Sequence, residues 1–302
     1  MRLFLFIAVL ALCTATAAPL AAGALQGGKP ADTAAAAPSG AVSEDAQISE
    51  WIERLSSEPG FESWKRASWT KYPLGPGKRG WVVIVKQSGA AGTVEEAGYL
   101  VVVEMPGGKL QLEEYGVGEA PLFSMRTLER SLASEGLENV KFTAEAKRDR
   151  VYFDALHAYW KVTEGGKIRF ADAKSGEWLP IEDKDVQRLK AANSAAVSVS
   201  KKTHLMSKNV ADPYMSIGWI TAKPLPVRGW NDLLALLGGN QAQLVYSADL
   251  YEGMMLWPFG VAGVHAWSPD GTAAPRGYVA LEHEGLRYVP FDRLAANGTF
   301  RQ

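Results

Sequence analysis

Cysteine is all but absent from this chain. The single one, Cys13, lies in an uncharged apolar run, Leu3 to Cys13, that follows Arg2 and leads into small residues rich in Ala and Thr. A positive start, an apolar centre and a small-residue exit make the layout of a secretory signal. Once that segment is removed the body carries no thiol, which excludes thiol catalysis, disulfide staples and thiolate metal sites. Excess charge is missing as well. The net charge of -1 becomes -2 when Arg2 is lost, leaving no basic surplus to neutralise a phosphate backbone, so nucleic acid is excluded as a partner. Only four histidines occur, His157, His204, His265 and His283, and none stands at metal-ligand spacing from another. No metal and no cofactor are expected. No G-x-S-x-G nucleophile elbow is present, and Leu74-Gly75-Pro76-Gly77-Lys78 lacks the spacing of a phosphate loop. The adjacent pairs Glu95-Glu96 and Glu113-Glu114 sit on strand-like segments, where neighbours point to opposite faces and cannot share a proton. They read as solvated charges.

What is present is the material of a folded, exported body. With 302 residues, 47% apolar and 22% charged, the chain can bury one large core or two modest ones. The ten tryptophans read chiefly as core. Small-x-small cleavage sites occur at Ala15-Thr16-Ala17 and at Ala22-Gly23-Ala24, and the second keeps Pro19 clear of the cut, giving a signal peptide over 1–24. The alternative is an uncleaved anchor, because Leu3 to Leu25 is uncharged and long enough to span a bilayer. Its Ala-, Thr- and Gly-rich second half inserts weakly, which favours cleavage. Either outcome places the body outside the cytoplasm, with a membrane as partner only if the anchor is kept.

Residues 25–45 form a low-complexity spacer containing Gly27-Gly28, Pro30 and Pro38-Ser39-Gly40. Helical spacing of Ile48, Trp51, Ile52 and Leu55 behind a Ser43 cap predicts a first helix, with Phe61, Trp64 and Trp69 on a second. Trp81 to Val85 reads as a strand. Gly98 to Glu104 and Lys109 to Tyr115 read as a hairpin turning at Met105-Pro106-Gly107-Gly108, with a wet face at Gln111 and Glu113. A helix follows Ser124 and closes near Gly136, and a hairpin joins Leu156–Val162 to Lys167–Ala171. Residues 193–210 are polar and weakly patterned, a linker between a domain over 46–192 and a C-terminal domain over 211–302. In the latter, Ile217 to Thr221 reads as strand-like, Asn231 to Leu237 as a helix, and Gln243–Ser247, Val261–Trp267, Gly277–Glu282 and Leu286–Val289 as strands before a helix at Phe291–Ala296. The fold class is α+β: two small antiparallel-sheet domains with flanking helices.

Tyr159-Trp160-Lys161-Val162, a Gly-Gly turn, Ile168-Arg169-Phe170 and then Asp172-Ala173-Lys174-Ser175-Gly176-Glu177 resembles the PepSY module, which pairs two strands and ends in a D-x-x-[TS]-G-E turn. The resemblance covers residues 151–180 and implies an extracellular setting and a role as an inhibitor or propeptide of proteases. The hairpin Gly98 to Gly116 is similar to propeptide strands of streptopain-type cysteine proteases. Asp232 to Tyr246 with Val261–Trp267 and Tyr278–Leu281 is similar to the later half of C39-like papain-fold peptidases. That likeness implies an inactive fold, because the exported chain has no cysteine nucleophile.

One segment stands out for binding. Asp249 to Trp267 carries Tyr251, Met254, Trp257, Phe259, His265 and Trp267 among Gly and Pro residues, the composition of a loop bearing large apolar side chains. These six are the candidate binding residues; packing beneath a loop is the competing explanation. The expectation is a secreted non-enzymatic protein that binds an extracellular protein or peptide, with protease inhibitor or regulator as the role the resemblance implies. A cell-wall or peptide hydrolase with an unrecognised site, or a structural envelope protein, are the alternatives.

Overall fold

The computed structural model describes residues 43–75, 79–89, 92–134, 147–189, 198–239, 243–271 and 274–302. The expected export segment, most of the expected spacer and the expected helix end near Gly136 lie outside the described residues. Ser43 caps α1 (Glu44–Leu55), accepting from the Ala46 N–H at 3.2 Å, with Glu44 and Asp45 in the first turn where the helix dipole favours them. The stripe Ile48, Trp51, Ile52 and Leu55 is buried. A 3₁₀ turn, Glu62–Trp64, then buries Trp64 beside Phe61. Trp69 departs from expectation. It lies in strand β1 (Ser68–Pro73), where the aromatic and β-branched run Trp69-Thr70-Lys71-Tyr72 suits the pleat against β2 (Gly80–Ser88).

The meander continues through β3 (Val94–Glu104) and β4 (Leu110–Val117) to α2 (Met125–Ser134). A second sheet follows: β5 (Lys147–Asp154), β6 (His157–Glu164), β7 (Lys167–Asp172) and β8 (Trp178–Leu179), each antiparallel to the next. After α3 (Asp183–Arg188) come β9 (Thr203–Met206), a 3₁₀ turn at Ile217–Ile220 and α4 (Trp230–Gly238). The chain closes with β10 (Val245–Leu250), β11 (Met255–Trp267), β12 (Arg276–Glu282), β13 (Leu286–Pro290), α5 (Phe291–Asn297) and β14 (Gly298–Arg301).

The α+β class holds, with one antiparallel sheet of ten strands and one of four. The division along the chain is different from the expected one. The large sheet runs β1-β2-β3-β4-β13-β12-β11-β10-β14, with β9 on β11, so strands from both sides of residues 193–210 share it. The expected linker itself supplies β9, and Val42–Gln302 is one compact unit. The cause lies at the seam, where Leu286, Arg287 and Tyr288 pair with Val117, Gly116 and Tyr115. Tyr115 stacks on Tyr288 at 4.8 Å and meets Tyr278 edge-on, so neither half completes its aromatic face alone.

Three core clusters follow from strand alternation. On one face of the large sheet, α1 and the 3₁₀ turn cover Val83, Leu100, Leu112, Tyr115 and Tyr288. On the other, Val82, Ile84, Tyr99 and Val101 meet Trp160, Ala158 and Ala171 of the small sheet and Leu128 of α2. Tyr159 and Phe170, from the opposite face of the small sheet, join Val261, Val279 and Leu281 of the C-terminal strands. The small sheet thus packs against both halves of the large one.

Glu113 and Glu114 also correct the sequence reading, because both are buried. Each finds cations on the distant C-terminal segment. Glu114 accepts from Arg287 Nε at 2.7 Å and Nη2 at 3.1 Å, and Tyr99 adds its hydroxyl at 3.2 Å. Glu113 lies 3.8 Å from Arg276 and 3.9 Å from Arg293. Burial alone would lower the Arg287 pKa, but Glu114 beside it keeps the guanidinium firmly charged. Removing one member of such a pair strands a buried charge, whereas replacing both removes the desolvation cost too. Arg287→Met is therefore expected to cost about 3–5 kcal/mol in urea unfolding at neutral pH, and adding Glu114→Leu to recover most of it. Equal destabilisation of the single and double variants would contradict this reading.

Candidate functional site

The segment Asp249–Trp267 is not a loop. It comprises the end of β10, a hairpin turn and the thirteen-residue strand β11. Its Pro258 precedes the stretch paired with β12, which begins at Gly260, so one edge makes no demand on the missing N–H. Gly263 sits at a bulge with φ +157°, where a Cβ would lie 2.3 Å from the Leu205 carbonyl of β9. Proline and glycine here permit strand crossings rather than a flexible connection.

The six candidate binding residues consequently separate into distinct places. His265 and Trp267 are in the core. The His265 ring is fully enclosed, with Nδ1 2.7 Å from the Tyr115 hydroxyl and Nε2 3.7 Å from a Glu58 oxygen. Lys202 pairs with the other Glu58 oxygen. Burial, reinforced by His204 and Lys202, pushes the His265 pKa down to about 3, so the ring is neutral at physiological pH. It is a polar strut between β4 and β11.

Trp257 and Phe259 line a groove of about 470 Å³ together with Val210, Tyr214, His283 and two residues of the Asp172–Glu177 turn, Ser175 and Glu177. That turn is built as its residue types imply. Asp172 accepts from the Lys174 N–H at 2.9 Å, the Ser175 N–H at 2.6 Å and the Ser175 hydroxyl at 3.0 Å, while Gly176 takes φ +78°. Lys174 points inward and donates to the carbonyls of Ala120 at 2.5 Å and Glu284 at 2.6 Å. Burial and the nearby Arg287 bring the Lys174 pKa down to about 8. His283, packed between Trp257 and Phe259, is held well below its usual pKa by burial and then by Arg287 and Lys174.

Beside the groove runs a segment whose sequence reads as strand-like. Ile217–Ile220 is a 3₁₀ turn, and the segment before it is braced internally. Asp212 accepts from the N–H groups of Tyr214 at 2.9 Å and Met215 at 3.2 Å, and the Trp219 indole donates to the Pro213 carbonyl at 2.8 Å. Arg301 of β14 donates to Ala222 at 2.6 Å, and Leu225 N–H to Phe300 at 2.8 Å. With Trp219 turned in, Tyr214 (69% exposed), Met215 (84%) and Ile217 (67%) turn out. The apolar run between Asp212-Pro213 and Pro224 was visible in the sequence, but its orientation was not.

Tyr251 belongs to a third place, a cavity of about 420 Å³ beside the β5–β6 turn, and Met254 is half exposed outside all three. Asp154 and His157 of that turn line the cavity with Asp185, Arg188, Asp249, Glu252 and Arg293. Asp154 Oδ1 accepts from the Leu156 N–H at 2.8 Å, the His157 N–H at 3.0 Å and His157 Nδ1 at 3.0 Å. Asp154 and its link to His157 were missed in the sequence; the available signal was Asp-x-x-His in a turn between two β-runs. Among the described residues no group of three or more His, Cys, Asp or Glu could hold a metal ion, and no helix is long and apolar enough to cross a membrane. Compared with protein-family models, curated proteins and solved structures, the chain matches none.

Burial would raise the Asp154 pKa, but the His157 hydrogen bond and charge and the Leu156 N–H overcome it and hold it at about 2, below the ordinary 3.8. A depressed carboxyl stabilises the fold above its unfolded pKa and loses that contribution as pH falls through the folded value. About 2 kcal/mol is expected, full above pH 4 and lost towards pH 2. The stability gap between wild type and Asp154→Asn, from urea titrations at both ends, should therefore narrow over that interval. A gap that does not change with pH would contradict the assignment.

Proposed function

We propose that this is an exported, non-enzymatic protein that binds an extracellular protein or peptide, and that the braced loop around Met215 with the adjoining groove is its contact surface. The observation that carries the reading is the loop itself. Tyr214, Met215 and Ile217 are each more than half exposed, next to one another and held in place by side-chain and backbone hydrogen bonds. Exposed apolar clusters of this kind mark interaction sites, and Tyr and Met are enriched in interface cores. Prior ordering lowers the entropy lost on association. Each such side chain contributes about 1.5–3 kcal/mol if fully buried by a partner.

The export-type N-terminal segment supports the extracellular setting. The PepSY-like residues Ser175 and Glu177 line the same groove as Tyr214, which makes an extracellular protease the partner class to try first. The hydrolase alternative finds less support, since no Ser, Thr or Cys is among the residues lining the Asp154–His157 cavity.

The test is affinity capture from native culture medium, followed by titration of the recovered partner against purified variants. Met215→Asp combined with Ile217→Asp is expected to weaken binding by more than about 100-fold, about 2.7 kcal/mol. The melting temperature should stay nearly unchanged because both side chains are exposed. Recovery of the protein alone, or undiminished binding by the double variant, would overturn the proposal.

A further inference from the structure

We infer, on the premise that the Met215 loop and its groove form the contact surface, that the groove takes an arginine side chain from a basic segment of the partner. An unpartnered buried polar group, uncompensated charge and an aromatic wall point to the same chemistry.

The unpartnered group is His283. Its side chain is only 8% exposed, and it lines the groove beside the rings of Trp257 at 5.4 Å and Phe259 at 5.1 Å. Both ring nitrogens are shielded from solvent, and neither has a hydrogen bond to a described residue. Asp172, 3.6 Å from Nε2, is too distant for one. Burial, with Arg287 and Lys174 nearby, keeps the imidazole neutral, so in either tautomer one nitrogen presents an unmatched lone pair. Rotation of the ring about χ2 brings a nitrogen edge to the groove, where an entering N–H group would satisfy it.

The charge of the groove has one sign. Glu177, Asp212, Glu282 and Glu284 line it, and no Lys or Arg is among the described residues that do. Glu282 accepts from the Gly285 N–H at 3.3 Å, and Asp212 accepts from the N–H groups of its own loop. None of the four is ion-paired to a described residue. The cations that act on His283 are committed elsewhere, Lys174 to the Ala120 and Glu284 carbonyls and Arg287 to Glu114. A basic group complements this groove, and an acidic one is repelled.

The wall selects among basic groups. Trp257 and Phe259 stack at 5.7 Å with 22° between their planes, and the exposed Tyr214 ring lines the same groove. A planar guanidinium stacks on such rings, and its five donors can meet a carboxylate and the imidazole together. A lysine ammonium has three donors and no plane.

Calorimetric titration of the full chain with blocked tripeptides tests the inference: acetyl-Gly-Arg-Gly-amide against its lysine, citrulline and glutamate counterparts. The arginine peptide is expected to bind saturably with Kd of about 1 mM or below. Citrulline keeps the shape without the charge and should bind at least about tenfold more weakly, and lysine at least about threefold more weakly. Glu177→Gln combined with Glu282→Gln, both exposed, should weaken the arginine peptide at least about threefold and leave the melting temperature unchanged. The arginine peptide should also shift the ¹⁵N resonances of the His283 ring. Absence of saturable binding up to about 20 mM would overturn the inference. So would equal affinity for any of the other three peptides, undiminished binding by the glutamine pair, or unmoved His283 resonances. With the captured partner, the glutamine pair should again weaken binding at least about threefold. Loss of partner binding in the Met215→Asp, Ile217→Asp variant but not in the glutamine pair would overturn the arginine assignment and leave the contact surface standing. Undiminished binding by both variants would overturn the contact surface itself.

Discussion

The ion pair between Glu114 and Arg287 is the constraint on which the architecture turns. These residues are 173 positions apart, yet they face each other in the interior where β4 meets β13. A charge in that setting is tolerable only with its partner in place. The pairing therefore accepts one register: a shift by a single residue would turn Arg287 to the other sheet face. The three residue pairs of that seam join a meander formed early in the chain to the strands formed last. Lys174 reaches across to Ala120 and Glu284, tying the turn of the small sheet to the hairpin that contains Arg287.

A chain organised in this way builds its surfaces from distant segments. The groove takes walls from the turn after β7, from the stretch around Asp212 and from β11. The cavity beside the β5–β6 turn takes them from that turn, from α3, from the β10–β11 turn and from α5. Neither surface uses the buried polar strut at Tyr115 and His265, whose depressed histidine serves packing. Perturbed titration here marks burial first, and function has to be argued from access and unmet hydrogen-bonding capacity.

Local features were the legible part of the sequence. The Ser43 cap, the stripe Ile48-Trp51-Ile52-Leu55, the hairpin at Gly107-Gly108 and the turn at Asp172–Glu177 all depend on neighbours a few residues away, and each forms from them. What was hidden depends on partners far along the chain. Nothing near Glu113-Glu114 announces that Arg276, Arg287 and Arg293 will neutralise them. Residues 193–210 looked like a linker because β9 gains its stability from an edge of β11 that lies about 60 residues later. Pro258 and Gly263 looked like loop residues because their tolerance in a strand is set by which neighbours lie beside them. Of the candidate binding residues, Tyr251, Trp257 and Phe259 reach cavity walls, while His265 and Trp267 are enclosed. Aromatic content reported large side chains, not the direction they face.

The meander β1–β4 and the C-terminal strands β10–β14 fold as one body through the β4–β13 seam. Native-state hydrogen exchange across a denaturant series addresses it most directly, comparing amides of β2–β3 with those of β11–β12. One cooperative body requires both sets to converge on the same global opening free energy and the same denaturant dependence. Two separate exchange isotherms, with β2–β3 and β11–β12 opening independently, would contradict the account.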